Sequence, residues 1–169
     1  MVKKVAFGIR KREFEEFLSK HAHKVLTYPK ANIYIMQGAQ YNESELHIAE
    51  KLAKAGQHVL FPNQAALGTK RKYDVVLYDA KIYVQKKVEL KTLFGSTAET
   101  VKRQLISGSG QADFIAYDIQ SGIKKNWLIE GLRSGWSGNL KAVMLSYKGQ
   151  WYQLNRKLVF SEAIYKALK

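Results

Sequence analysis

Apolar positions fall at helical spacing near the start of the chain. Lys11 to Leu26 (KREFEEFLSKHAHKVL) places Phe14, Phe17, Leu18 and Val25 three, four or seven apart, which predicts a helix that Pro29 ends. Asn32–Met36 then reads as a short strand. From Tyr41 the pattern sharpens. Asn42 or Ser44 can cap a helix running to about Ala55, with Leu46, Ile48, Ala49, Leu52 and Ala53 on its apolar face and Gly56 as terminator. His58–Phe61 predicts a strand that stops at Pro62, and 63–72 a polar loop ending in Lys70-Arg71-Lys72. Strands at Asp74–Tyr78 and Ile82–Leu90 follow, with Asp79-Ala80 between them as a hairpin turn.

The second half alternates in the same way. Ser96 or Thr97 can cap a helix to Leu105, which Ser107-Gly108-Ser109-Gly110 loosens or ends. Phe114–Ile119 (FIAYDI) reads as a buried strand and Trp127–Leu132 as a further segment. A Gly/Ser-rich loop spans Ser134–Asn139, and strands at Lys141–Tyr147 and Trp151–Leu154 are joined by Lys148-Gly149. A last helix starts at Ser161. Helix, strands, helix and strand in succession predict an α/β fold, a central mixed sheet flanked by helices. Residues 1–40 read as a leader packed on or preceding a domain at 41–169.

Charge changes the picture more than composition does. The 169 residues suffice for one cored domain, but Lys and Arg number 28 against 14 Asp and Glu, a formal net charge of +14. Such an imbalance strains the compact state and points to a polyanionic partner, nucleic acid first and an acidic protein second. Ten Tyr and three Trp offer rings for unpaired bases, although strand and core positions account for most rings in any protein. With no cysteine, disulfides, zinc–thiolate sites and thiol catalysis are excluded. No apolar run reaches the ~18 residues of a membrane span. The N-terminus lacks the apolar core of a signal peptide, so export would depend on a longer parent chain or a partner.

The candidate chemistry lies in Tyr73–Leu93. Asp74 opens one strand, and Glu89 and Lys91, two apart on the next, share a face that Val88 and Leu90 do not. Carboxylates and an ammonium so placed can hold a divalent cation against a phosphodiester. The bland alternative is a solvated ion pair on an amphipathic strand. Gln104 reads as an exposed helix residue and Lys102 and Arg103 as either solvated charges or RNA-backbone contacts. The four His show no ligand spacing and read as surface or capping residues.

The Asp74…Glu89-x-Lys91 pattern resembles the PD-(D/E)xK nuclease superfamily. The wider pattern resembles the C-terminal tRNase toxins of contact-dependent growth inhibition proteins: Glu45-Leu46-His47-Ile48-Ala49 followed by Leu52, Gly56 and Val59, and Gln111-Ala112-Asp113-Phe114-Ile115-Ala116-Tyr117-Asp118-Ile119 further on. The likeness covers about Tyr41–Ile119. It implies a PD-(D/E)xK nuclease-like fold and a metal-dependent endoribonuclease toxin that cuts tRNA and is neutralised by an acidic immunity protein. It further implies that the domain is secreted, or delivered into a target cell's cytoplasm, as part of a larger toxin. Glu45, Asp74 and Glu89 would bind Mg²⁺ or another divalent ion such as Mn²⁺; Glu45 is chosen over Glu43 and Glu50 on the resemblance alone. Lys91 would assist catalysis, Gln111 would support the site, and Lys70, Arg71, Lys72, Lys102 and Arg103 would hold nucleic acid. Two other readings stay open: a DNA-directed nuclease of the same superfamily, of resolvase or restriction type, and a basic nucleic-acid-binding module whose carboxylates are structural.

Overall fold

A computed structural model describes residues 11–63, 73–79 and 85–169. The fold is α/β, with strands paired in both senses, and it divides into two compact units at Val88 and Glu89.

In the first unit, helix α1 (Lys11–His21) leads into β1 (Ala22–Thr27). β1 turns back at Tyr28–Ala31, where Tyr28 N–H donates to the Ala31 carbonyl, and pairs antiparallel with β2 (Asn32–Met36). The helix expected through Val25 therefore stops at His21. Asn32–Met36 offers a backbone ladder to 22–27, and the segment gains more by filling it than by extending α1 with a side chain that stays exposed, as Val25 does. These strands place residues 22–36 in the same ladder as β3 (Gln57–Phe61), which lies parallel to β2. A parallel pair needs a crossover, and α2 (Glu43–Lys54) supplies it. Asn42 caps α2, and Ile48, Ala49, Leu52 and Ala53 form its buried face. Gly56 beyond its end takes φ +100°, a conformation that other residues adopt only with strain. β4 (Val75–Asp79) pairs antiparallel with β3 and with the start of β5 (Gln85–Leu93), Val75 lying opposite Val88. The two strands pair antiparallel as expected, β4 taking in Asp79 and β5 reaching Leu93 rather than Leu90; the expected turn residue Ala80 and the expected strand start at Ile82 lie outside the described residues.

In the second unit the last part of β5 is followed by α3 (Ala98–Ser109), capped by Thr97, then β6 (Phe114–Ile119), α4 (Lys125–Gly135) and β7 (Ala142–Tyr147). β6 and β7 are parallel, with α4 as their crossover. β8 (Gln150–Asn155) returns antiparallel to β7 through Lys148 (φ 50°) and Gly149 (φ 79°), the two positive angles of the hairpin turn whose twist matches the strands it joins. Two short helices, α5 (Arg156–Val159) and α6 (Ile164–Ala167), end the chain where one helix from Ser161 was expected. Leu93, Val101, Leu105, Ile115, Tyr117, Leu128, Leu132, Val143 and Leu145 form part of one apolar core.

α3 ends at Ser109, inside the 107–110 stretch expected to loosen or end it, with Gly110 as its C-cap. One expectation is corrected: Ser134 and Gly135 read as loop, yet α4 runs to Gly135. A Cβ on Gly131 would stand 2.5 Å from Val101 Cβ and 2.7 Å from the Ala98 carbonyl, and one on Gly135 2.7 Å from the Lys102 carbonyl. α4 therefore crosses α3 with its backbone against the other helix, and the close packing outweighs the roughly 1 kcal/mol of helix propensity each glycine forfeits. Gly131→Ala should lower the unfolding free energy by about 1–3 kcal/mol despite its better propensity, because the new methyl meets backbone and Cβ atoms that cannot rotate away. Gly138→Ala, with nothing within 4 Å of the added atom, should change it by less than about 0.5 kcal/mol. Equal denaturation midpoints for the two variants would refute the account.

Candidate functional site

Each candidate residue owes its place to an element of its own unit. Glu45 sits in the first turn of α2. Its N–H donates to Asn42 Oδ1 at 2.8 Å, and Asn42 Nδ2 donates back to Glu45 Oε1 at 2.9 Å. This reciprocal pair ties one carboxylate oxygen to the start of the helix. Asp74 is half-buried just before β4, and its N–H donates to the Val88 carbonyl at 3.1 Å, Val88 being the residue before Glu89 in sequence. Beside it, the Tyr73 ring is buried and carries Lys87 Nζ 5.4 Å from its centroid.

In the second unit, Glu89 and Lys91 occupy alternate positions of β5 in phase with Leu93, which belongs to the core formed with α3 and α4. Glu89 is only 4 % exposed and Lys91 half-buried. The solvated strand carboxylate of the bland alternative does not describe Glu89. Gly108 of α3 lies beside its stem: a Cβ there would stand 3.6 Å from Glu89 Cγ, an ordinary contact, and 2.8 Å from Ile115 Cδ1, so the glycine makes room for Ile115 rather than for Glu89. Gln111 is half-buried directly after α3, its N–H donating to the Gly108 carbonyl at 3.0 Å. Lys102 is half-buried and Arg103 exposed, with a loose pair to Glu99 at 3.9 Å that adds little. Lys70, Arg71 and Lys72 lie outside the described residues.

The donor set is carboxylate oxygen, which suits a hard divalent cation. Among the described residues no group of three or more His, Asp or Glu is placed to hold a metal ion. A magnesium-type ion keeps several waters and needs one or two carboxylates, so a small set is compatible with it. His58 is not a surface residue: its Nδ1 accepts from Asn32 N–H at 3.2 Å, which ties β3 to β2.

Gln104 is the residue that sequence reasoning misplaced. It is half-buried; its Nε2 donates to the Thr92 carbonyl at 3.0 Å and its Oε1 accepts from Tyr117 OH. One amide thereby links α3 to β5 and β6, within a step of Lys91. Burial pushes the Tyr117 hydroxyl well above the usual tyrosine range, which keeps it protonated as the donor. The sequence signal was slight: Gln104 and Gly108, four apart, share a helix face that the apolar pattern leaves out. Asp118 was quoted only as part of a pattern, yet it is fully buried on β6 and accepts from Gln120 Nε2 at 2.6 Å. It alternates with Tyr117 and Ile119 and so faces away from the helices.

Comparison with protein-family models, with curated proteins and with solved structures gives no match for this chain.

Gln104→Leu should cost about 1–3 kcal/mol of stability, since Tyr117 OH and the Thr92 carbonyl each lose a partner inside the fold. Arg103→Ala, one residue away on the exposed face, should stay within about 0.5 kcal/mol of the unaltered protein. Urea denaturation reads both, and an unchanged midpoint for Gln104→Leu would remove the link between α3 and the strands.

Proposed function

We propose that the chain is a metal-dependent endonuclease of the PD-(D/E)xK kind, that it cuts tRNA, and that it acts as a toxin delivered into another cell's cytoplasm and held in check by an acidic immunity protein. The observation that carries the reading is the burial of Glu89 two residues before Lys91 on one face of β5. A carboxylate withdrawn from water destabilises the fold unless something compensates it, and chains that retain one in a strand beside a cation commonly use it. The excess of basic over acidic residues supports a polyanionic substrate.

In this reading Glu89 and Asp74 are the acidic ligands; the described residues gather no group of three, so Glu45 as a third ligand rests on the resemblance alone. A divalent ion held by them would supply the charge that offsets the phosphoryl oxygens and acidifies a water. Lys91 holds an ammonium beside the same face, where it orients the attacking water or opposes the negative charge of the transition state. Gln111 supports the site. Lys70, Arg71, Lys72, Lys102 and Arg103 bind the phosphate backbone and fix its register without reading sequence.

Purified protein incubated with tRNA and with duplex DNA, each with magnesium and with excess chelator, tests this directly. RNA gels should show discrete tRNA fragments only when metal is present. Asp74→Ala and Glu89→Ala should abolish the fragments, and Lys91→Ala should slow their formation roughly 100-fold or more, with the far-ultraviolet circular dichroism of all three unchanged. Cutting of duplex DNA in preference to tRNA would move the chain to the DNA-directed reading. Tight binding with no cleavage at any metal concentration would leave a binding module, and full activity in chelator would end the metal mechanism.

A further inference from the structure

Glu89 and Lys91 are placed by different means. Glu89 is buried beside Gly108 of α3, and packing fixes its side chain. Lys91 is half-buried, and its flexible four-carbon stem gives the ammonium many positions, so its aim depends on the backbone that carries it. The next residue supplies the fixed point. The Thr92 carbonyl accepts from Gln104 Nε2 at 3.0 Å, and the Leu93 carbonyl after it accepts from Gln120 N–H at 2.9 Å. The Gln104 amide is held at its other end too, where Oε1 accepts from Tyr117 OH. With both ends engaged, the amide cannot turn without losing a bond. Burial keeps the Tyr117 hydroxyl protonated, so it donates throughout the neutral pH range.

Resting on the nuclease reading above, we propose that Gln104 is a positioning residue for Lys91: through the Thr92 carbonyl it sets where β5 presents the ammonium to the scissile phosphate. It touches neither metal nor substrate and acts only through its neighbour. The tie lies one residue from Lys91 and three from Glu89, so the ammonium is the group it governs most. The task calls for an amide, because one end must donate to a carbonyl and the other accept from a hydroxyl; a carboxylate lacks the donor and an aliphatic chain lacks both. An apolar pair of similar shape in place of Gln104 and Tyr117 would serve core packing about as well. The polar pair differs in giving the end of the strand a single position. A shift of about 1 Å in a group that acts on the transition state costs on the order of 100-fold in rate.

The test is a double-mutant cycle on tRNA cleavage in magnesium, run at a temperature where near-ultraviolet circular dichroism shows each variant folded. Gln104→Met keeps the length of the side chain and removes both hydrogen bonds. It should lower kcat roughly ten- to one-hundred-fold. The KM for tRNA and the magnesium midpoint should stay within about twofold, since the metal ligands are untouched. In a Lys91→Ala background the same substitution should cost less than about twofold, because the group it positions is gone. Equal losses in the two backgrounds, as a general loosening of the fold would give, overturn the proposal, and so does a magnesium midpoint that moves with kcat. Tyr117→Phe releases one end of the amide and should show the same pattern at smaller size. A Tyr117→Phe loss that persists undiminished without Lys91 overturns the proposal even where Gln104→Met does not fold. No cleavage by the unaltered protein retires the nuclease reading and this assignment together, whereas cleavage that Lys91→Ala slows and Gln104→Met leaves unchanged retires this assignment alone.

Discussion

The second unit depends on one contact, the backbone approach of α4 to α3 at Gly131 and Gly135. It fixes how deep α3 sits, and α3 fixes the rest. Its Val101 and Leu105 fill the core beside Leu128 and Leu132. The face carrying Gln104 and Gly108 meets the strands, where Gln104 bridges Thr92 to Tyr117 and Gly108 packs closely on Ile115. Displace α3 outward by the width of a methyl group and these two contacts loosen together, because a helix moves as a rigid element. Glu89, buried beside Gly108, lies against the helix that this packing holds in place.

Charge works against that packing rather than for it. Basic residues outnumber acidic ones two to one in both units, so the excess is a property of the whole chain and not of a tail. A compact body with this balance repels itself, and the pairs Arg103–Glu99 at 3.9 Å and Lys141–Asp113 at 3.6 Å are too long to offset much of it. Apolar burial carries the stability against the repulsion among the cations. Several of them already lie over rings, as with Lys148 at Tyr147 and Arg156 at Phe160.

What the sequence made legible was local. Asn42 as cap, Gly56 as terminator, β2, β6 and the Lys148-Gly149 turn all follow from rules that reach no further than a few residues. The mistakes came where a distant partner decides. Residues 22–25 continue a helical pattern and become a strand because Asn32–Met36 offers a ladder. The segment expected at 127–132 runs on to Gly135 because that glycine, read as part of a loop, is a helix contact by packing. Gln104 read as solvated because its partners, Thr92 and Tyr117, are more than ten residues away on either side. For the candidate site, period-two alternation set Glu89 and Lys91 on one face of β5, but the burial of Glu89 depends on the helix packed beside it, which alternation does not show.

The same stripe of α4 that closes the helix pair also ends it. Trp127, Gly131 and Gly135 are four apart. At the two glycines the helices touch backbone to backbone, and Trp127, one turn earlier on α4, keeps nearly half its surface in water. α3 begins at Ala98, already opposite Gly131, so the helix pair ends there and the indole one turn earlier is left exposed beside Lys124.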